Sequence, residues 1–448
     1  MFSYSVGMTA TEIESTDVQA ADVRATMAPH MLTDGYDFIL DLVNSQGSYL
    51  VDERDGTRLL DMFTFFASNA LGMNHPALAQ DEEFAEELLT AAMNKPSNSD
   101  VYSVPLANFV QTFERVLGDP ALPHLFLVEG GGLAVENALK VAFDWKSRQN
   151  EAAGRDAALG TKVMHLTGAF HGRTGYTMSL TNTDPNKVAR FPKFDWPRID
   201  SPYVSSNHDV EAAEQKALAQ AQAAFEANPH DIACFICEPI QGEGGDRHLR
   251  PEFLQAMKEL CHANDALLIF DEVQTGCGLT GETWAYRRLG VTPDVVSFGK
   301  KLQVCGVMAG GRVDEIDDNV FHVPSRINST WGGNLTDIVR SRRILEVIEA
   351  ENLIANARQR GEHLLAGLHQ LAEKYDIVTE PRGLGLMCAV NLPDAATRDA
   401  VIGKLLSDEQ VLMLGCGEST IRFRPALTVT DDDLDAALAA MDRVLASF

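Results

Sequence analysis

Asp271 and Lys300 stand twenty-nine residues apart, and each closes a short apolar run: Ala266 to Phe270 before the acid, Pro293 to Gly299 before the amine. Such runs read as buried parallel strands, and α/β sheets place their chemistry outside the carboxyl ends of those strands. One carboxylate and one amine are therefore expected in the same crevice. A lysine can form a Schiff base with a carbonyl compound, and an aspartate can keep a pyridine nitrogen protonated so that the ring accepts electrons. Those are the two groups a pyridoxal phosphate site needs. By spacing alone, a strand-capping carboxylate and a solvated lysine explain the pair equally well.

Two further segments carry possible chemistry. Glu129-Gly130-Gly131-Gly132 separates a strand-like run, Leu125 to Val128, from a strongly helical one in which Glu136 and Lys140 stand at i,i+4. Glycines there let backbone N–H groups approach an anion at the positive end of the helix, although three glycines also simply make a tight turn. The segment is neither a P-loop nor a G-x-G-x-x-G fingerprint, and Gly299-Lys300 is followed by Lys301 where a P-loop has Ser or Thr. Phe170-His171-Gly172-Arg173 follows the strand-like Val163 to Leu166. An aromatic at a strand exit can stack on a flat heterocycle, and an arginine there can take a carboxylate with two hydrogen bonds; a core Phe beside a surface Arg is the plainer alternative. Cys234 and Cys237 make a C-x-x-C, but inside a strand-like run residues three apart face opposite sides, so neither a metal site nor a redox pair is expected.

The elements that must position these residues alternate between about Asn74 and Gly333. Helical patterns cover 134–148, 212–227 and 251–264 between the strand-like runs 125–128, 163–166, 232–237, 267–270 and 295–297. That alternation predicts an α/β fold with a mainly parallel, doubly wound sheet flanked by helices. Short strand-like pieces with turns at Gln46-Gly47 and Arg54-Asp55-Gly56 come before it. After it come a long helical stretch, the run Ile377 to Leu392, a strand-like Thr420 to Phe423 and a helix from Asp431 to Leu445. The expected division is an N-terminal segment 1–28, loose or exchanged with a partner; a large domain 74–335; and a small α/β domain assembled from 29–73 and 336–448.

A chain of 448 residues with 37 basic and 64 acidic side chains has a net charge of −27, which repels phosphate backbones and argues against nucleic acid as a partner. No stretch approaches the roughly 18 consecutive apolar residues of a membrane span, and the N-terminus shows neither the basic nor the apolar region of an export signal. A cytoplasmic protein with no membrane association is expected. Seven scattered cysteines suit reduced thiols better than a disulfide framework.

Three longer runs then occur in the same order as in one family: Glu238-Pro239-Ile240-Gln241-Gly242-Glu243-Gly244-Gly245, Asp271-Glu272-Val273-Gln274-Thr275-Gly276 and Ser329-Thr330-Trp331-Gly332-Gly333-Asn334. From about residue 30 to its end the chain resembles the class III aminotransferases, fold-type I enzymes that use pyridoxal phosphate. Asn94 to Tyr102, Lys193 to Arg198 and Gly299 to Gly306 resemble the branch that transfers the 6-amino group of L-lysine.

The resemblance implies a role for each matching residue. Lys300 would hold the cofactor and move the proton, Asp271 would pair with the pyridinium, Phe170 and Val273 would enclose the ring, and Gln274 would reach its phenolic oxygen. The N–H groups of Gly131 and Gly132 would bind the phosphate together with Thr330 from the other subunit, which requires a homodimer with shared active sites. Some members have a hydroxyl residue where this chain has Gly132 and an acid where it has Leu133. Arg173 would take the distant carboxylate of lysine. Arg422 would take the α-carboxylate of 2-oxoglutarate or L-glutamate and be covered by Glu243 at other times, and Arg424 is expected as a helper or a surface residue. The implied reaction is a ping-pong exchange giving 2-aminoadipate 6-semialdehyde and L-glutamate, with no metal. Ornithine or 4-aminobutyrate would use the same residues, and one methylene is worth only about 1–3 kcal/mol in a pocket. A module that merely binds a phosphorylated ligand is the alternative outside enzymology.

Overall fold

Ile232–Cys237 is buried along its whole length and lies inside a seven-stranded sheet, as a strand covered on both faces must. The computed structural model describes residues 17–448. Across the sheet the strands are His124–Val128, Cys305–Ala309, Val295–Phe298, Leu267–Asp271, Ile232–Cys237, Lys162–Leu166 and Arg198–Ile199. Cys305–Ala309 runs antiparallel to both its neighbours, and the other pairs are parallel. Two of these strands carry no legible period: Arg198–Ile199 is only two residues long, and Cys305–Ala309 is short and contains Gly306.

Side chains alternate between two cores. Leu268, Phe270, Val296 and Phe298 enter one, whereas Leu267, Ile269, Val295 and Val307 enter the other. The second core is closed by the helix Gly131–Ala152, through Val135, Leu139 and Trp145. Asp271 lies two positions after Ile269 and therefore emerges on this helix's side, at the carboxyl end of its strand. Cys234 packs into one core and Cys237 into the other, so the two thiols diverge. The Glu136 carboxylate, expected beside Lys140, instead accepts the Tyr176 N–H at 2.9 Å, tying the helix to the segment after Phe170.

Strands from the two chain ends meet. Tyr49–Val51 and Arg58–Asp61 pair antiparallel, and Val411–Leu412 joins Arg58–Asp61 in parallel. A four-stranded antiparallel sheet runs Thr379–Leu384, Met387–Asn391, Thr420–Phe423, Leu414–Cys416. The last helix is Asp431–Leu445, begun by a capping box of Thr430 and Asp433. Residues 1–16 of the expected loose segment lie outside the described residues; the rest of it forms a 3-10 turn of helix, Ala20–Asp22, that runs into the short α-helix Val23–Met27.

After Asp61 the backbone does something unusual. Thr64, Phe65, Phe66 and Ala67 have φ of 41°, 52°, 61° and 65°, a left-handed turn without glycine. Asp61 Oδ1 accepts the N–H groups of Phe63 and Thr64 at 2.9 and 2.8 Å, and Thr64 Oγ1 donates to the Arg424 carbonyl at 2.5 Å. These bonds hold the turn in place and aim the Phe66 carbonyl inward.

Candidate active site

A cavity of about 200 Å³ opens where the helix Gly131–Ala152 begins and the strands Leu267–Asp271 and Val295–Phe298 end. Lys300, Asp271, Gly131, Gly132, Phe170, Val273 and Gln274 all line it. Size alone does not mark the place: a cleft of about 790 Å³ along Glu83, Glu87 and Arg342 contains none of these groups. Lys300 donates from Nζ to the Phe66 carbonyl at 3.0 Å. Loss of water around the amine, and then the charges of Arg422 and Arg424, bring its pKa down to about 8. Lys301 turns away from the cavity and donates to the Gln274 carbonyl at 3.2 Å, with burial lowering its pKa to about 7.

Beneath the cavity lies a bed of polar groups. Asp271 Oδ2 is 2.8 Å from His171 Nδ1, and Asp271 Oδ1 accepts from Ser297 Oγ at 3.2 Å and from the Val273 N–H at 3.1 Å. His171 is buried, and its Nε2 has no partner, so among the described residues Asp271 is the one polar group its side chain meets. Glu238, also at the end of a strand, accepts the N–H groups of Phe170 and Gly242 at 3.0 Å each. Burial pushes its pKa up to about 7.

The rim is made by residues distant in sequence. Arg422, on Thr420–Phe423, donates from Nη2 to Glu243 Oε2 at 2.7 Å. Burial works against the Glu243 carboxylate, but the charges of Arg422 and Lys187 outweigh it and hold its pKa below the usual value. Arg424, expected as a helper or surface residue, is fully buried. It pairs with Asp246 and donates from Nε to Gln274 Oε1 at 3.0 Å, which orients the Gln274 amide in the cavity wall. A guanidinium reads as solvated in a sequence; two carboxyl-end segments and a buried acid make this one a brace.

Four expected site residues do not line the cavity: Arg422 and Glu243, which pair with each other beyond its wall, and Arg173 and Thr330. Arg173 is exposed just beyond Gly172, and Thr330 is exposed beside Trp331. His171, Glu238, Asp246 and Ser297 support the site, and Lys187 stands outside it against Glu243, yet the sequence marks only some of them. Glu238 closes an apolar run as Asp271 does, and His171 adjoins Phe170, whereas Lys187 sits in an ordinary polar turn.

The residues present fit pyridoxal phosphate. An amine and a carboxylate face one cavity with an aromatic ring and a branched aliphatic side chain in its wall. At one end is a helix start with no side chain capping it and Gly130 at φ 99°, leaving first-turn N–H groups open to a phosphate. A Cβ at Gly132 would lie 3.2 Å from Thr174 Cγ2, so a hydroxyl residue there would need Thr174 to give way by a few tenths of an ångström.

The aminotransferase class-III family model matches residues 32–445. The L-lysine-epsilon aminotransferase of Mycobacterium tuberculosis is 65% identical over 427 residues, covering 94% of this chain and 95% of that protein. The enzyme of the same description from Amycolatopsis lactamdurans is 57% identical over 434 residues, covering 96% of each. Among solved structures, lysine aminotransferase from M. tuberculosis in the internal aldimine form has a TM-score of 0.95 and 64% identity, covering 96% of this chain and 100% of that one.

Proposed function

Because the chain belongs to the class III aminotransferases, we propose that it transfers the 6-amino group of L-lysine to 2-oxoglutarate, giving 2-aminoadipate 6-semialdehyde and L-glutamate. The observation that carries the reaction class is the Lys300 amine sharing one cavity with the Asp271 carboxylate. The choice of L-lysine as donor rests on identity to lysine-epsilon aminotransferases along almost the whole chain.

Bound pyridoxal phosphate supplies an electron sink that stabilises negative charge at the carbon losing its proton. The chain's own residues do the rest. Lys300 takes a proton from the donor carbon and returns one, and burial, by lowering its pKa to about 8, makes the neutral amine easier to reach. Asp271, held in place by His171 and Ser297, would pair with the ring nitrogen. Phe170 and Val273 enclose the ring, Gln274 reaches its oxygen, and the N–H groups of Gly131 and Gly132 hold the phosphate with the partner subunit's Thr330. That last contact requires a homodimer, and the exposure of this chain's own Thr330 is consistent with it. Arg173 takes the far carboxylate of lysine. Glu243 covers Arg422 while lysine is bound and yields it to the diacid, so the two substrates alternate in a ping-pong cycle. The large unit 74–335 carries the sheet, the small unit is built from 29–73 and 336–448, and the protein works in the cytoplasm without nucleic acid or membrane.

Purified holoenzyme assayed with 2-oxoglutarate and L-lysine, ornithine or 4-aminobutyrate tests the reading. Lysine should give the highest kcat/KM and an aldehyde that cyclises with its own α-amine. Faster turnover of ornithine or 4-aminobutyrate overturns the assignment, and failure of borohydride to fix the cofactor on Lys300 overturns the enzyme itself.

A further inference from the structure

Glu243 is held by two cations. While Oε2 accepts from Arg422, Oε1 is paired with Lys187 Nζ. Lys187 ends the short turn Pro185–Lys187, and its ammonium lies 5.6 Å from the centroid of the Phe170 ring. Its side chain is 27% exposed where that of Arg422 is 2% exposed, so one cation faces the solvent side of the rim and the other the interior.

The backbone around Glu243 has little freedom to travel. The Gly242 N–H is bound to Glu238 Oε2 at 3.0 Å, Asp246 is paired with Arg424, and Arg382 donates to the carbonyls of Gly245 and Asp246 at 2.6 and 2.8 Å. A Cβ on Gly244 would run into the Gly168 carbonyl oxygen, so the loop is also packed against its neighbour. Any exchange at Arg422 must therefore be a side-chain rotation. A carboxylate that leaves one cation without meeting another is an unpaired charge in a half-buried site, which is costly.

We propose that Lys187 is the residue that retains Glu243 when a dicarboxylic substrate occupies Arg422, so that the gate pivots between one cation and two. This rests on the alternating-substrate reading given above. Lys187 is a positioning residue: it acts on the acceptor half of the cycle through Glu243 and leaves the donor half alone. A partly exposed ion pair is worth roughly a few-fold to tenfold in an equilibrium, which sets the expected size of the effect.

In a ping-pong enzyme kcat/KM for each substrate reports its own half-reaction. Holoenzyme of the wild type, Lys187→Met, Lys187→Arg, Glu243→Gln and the double variant Lys187→Met with Glu243→Gln would be assayed with lysine and 2-oxoglutarate. Lys187→Met should lower kcat/KM for 2-oxoglutarate about fivefold through KM, leave that for lysine unchanged, and be rescued by Lys187→Arg. Against the Glu243→Gln background the same change should have no further effect. Equal loss in both half-reactions, no loss at all, or a loss that persists without Glu243 overturns the proposal. A wild type that accepts amines but no diacid overturns the alternating-substrate reading and this inference with it, whereas an active wild type with an unaffected Lys187→Met overturns this inference alone.

Discussion

Lys300 holds its amine on a left-handed residue, φ 52°, with burial keeping the pKa near 8. Lys300→Ala should abolish covalent retention of the cofactor on a desalting column and reduce turnover by about 10²–10⁴ or more. Steps in which the free amine accepts a proton should accelerate as pH rises through about 8, seen in single-turnover rates with lysine. Glu238 gives a stability test. Its pKa is raised to about 7 in the fold, so between the ordinary glutamate value and 7 the folded state binds the extra proton and stability falls as pH rises. Glu238→Gln cannot titrate. The variant should be more destabilised relative to wild type at pH 5 than at pH 8, read as the difference in Tm. Asp271 and Lys300 were legible because each terminates an apolar strand, and Glu238 bears the same mark without a motif to separate it from a cap. Arg424 and Lys187 were not legible, since a cation in sequence gives no sign of the acid that the fold brings to it.

At the level of elements, the helix Gly131–Ala152 joins the glycine-lined end of the cavity to the core through Val135, Leu139 and Trp145. Its start is set by glycine and its length by an apolar face, and both signals are readable in the chain. The loop after Ile240–Gln241 is less readable. Gly242, Gly244 and Gly245 look like generic flexibility, but Gly244 is a close approach to Gly168. Gly244→Ala should therefore cost about 1–3 kcal/mol, visible as a lower Tm, and weaken 2-oxoglutarate more than lysine because it displaces Glu243. Cys305–Ala309, the antiparallel strand, escaped the periodicity because burial on both faces removes alternation and its length gives nothing else to count.

For the whole molecule, strands from both chain ends combine, which local patterning indicates only through their similar lengths and order. Exposed apolar side chains cluster in sequence near Thr330 and in the segment after Lys95: Trp331, Val101 and Tyr102, the last 81% exposed. Lys95 Nζ lies 3.5 Å from the Trp331 ring centroid, linking the two segments. Sedimentation should report twice the mass of one chain, and Tyr102→Asp should shift it toward one while lowering cofactor occupancy. The interior also sets how the protein answers sulfur chemistry. All seven cysteines are free and buried, and burial raises Cys277, Cys388 and Cys416 to about 12. A maleimide dye should leave the native enzyme dark and light up only as the cores open, making those sulfurs a built-in clock for unfolding.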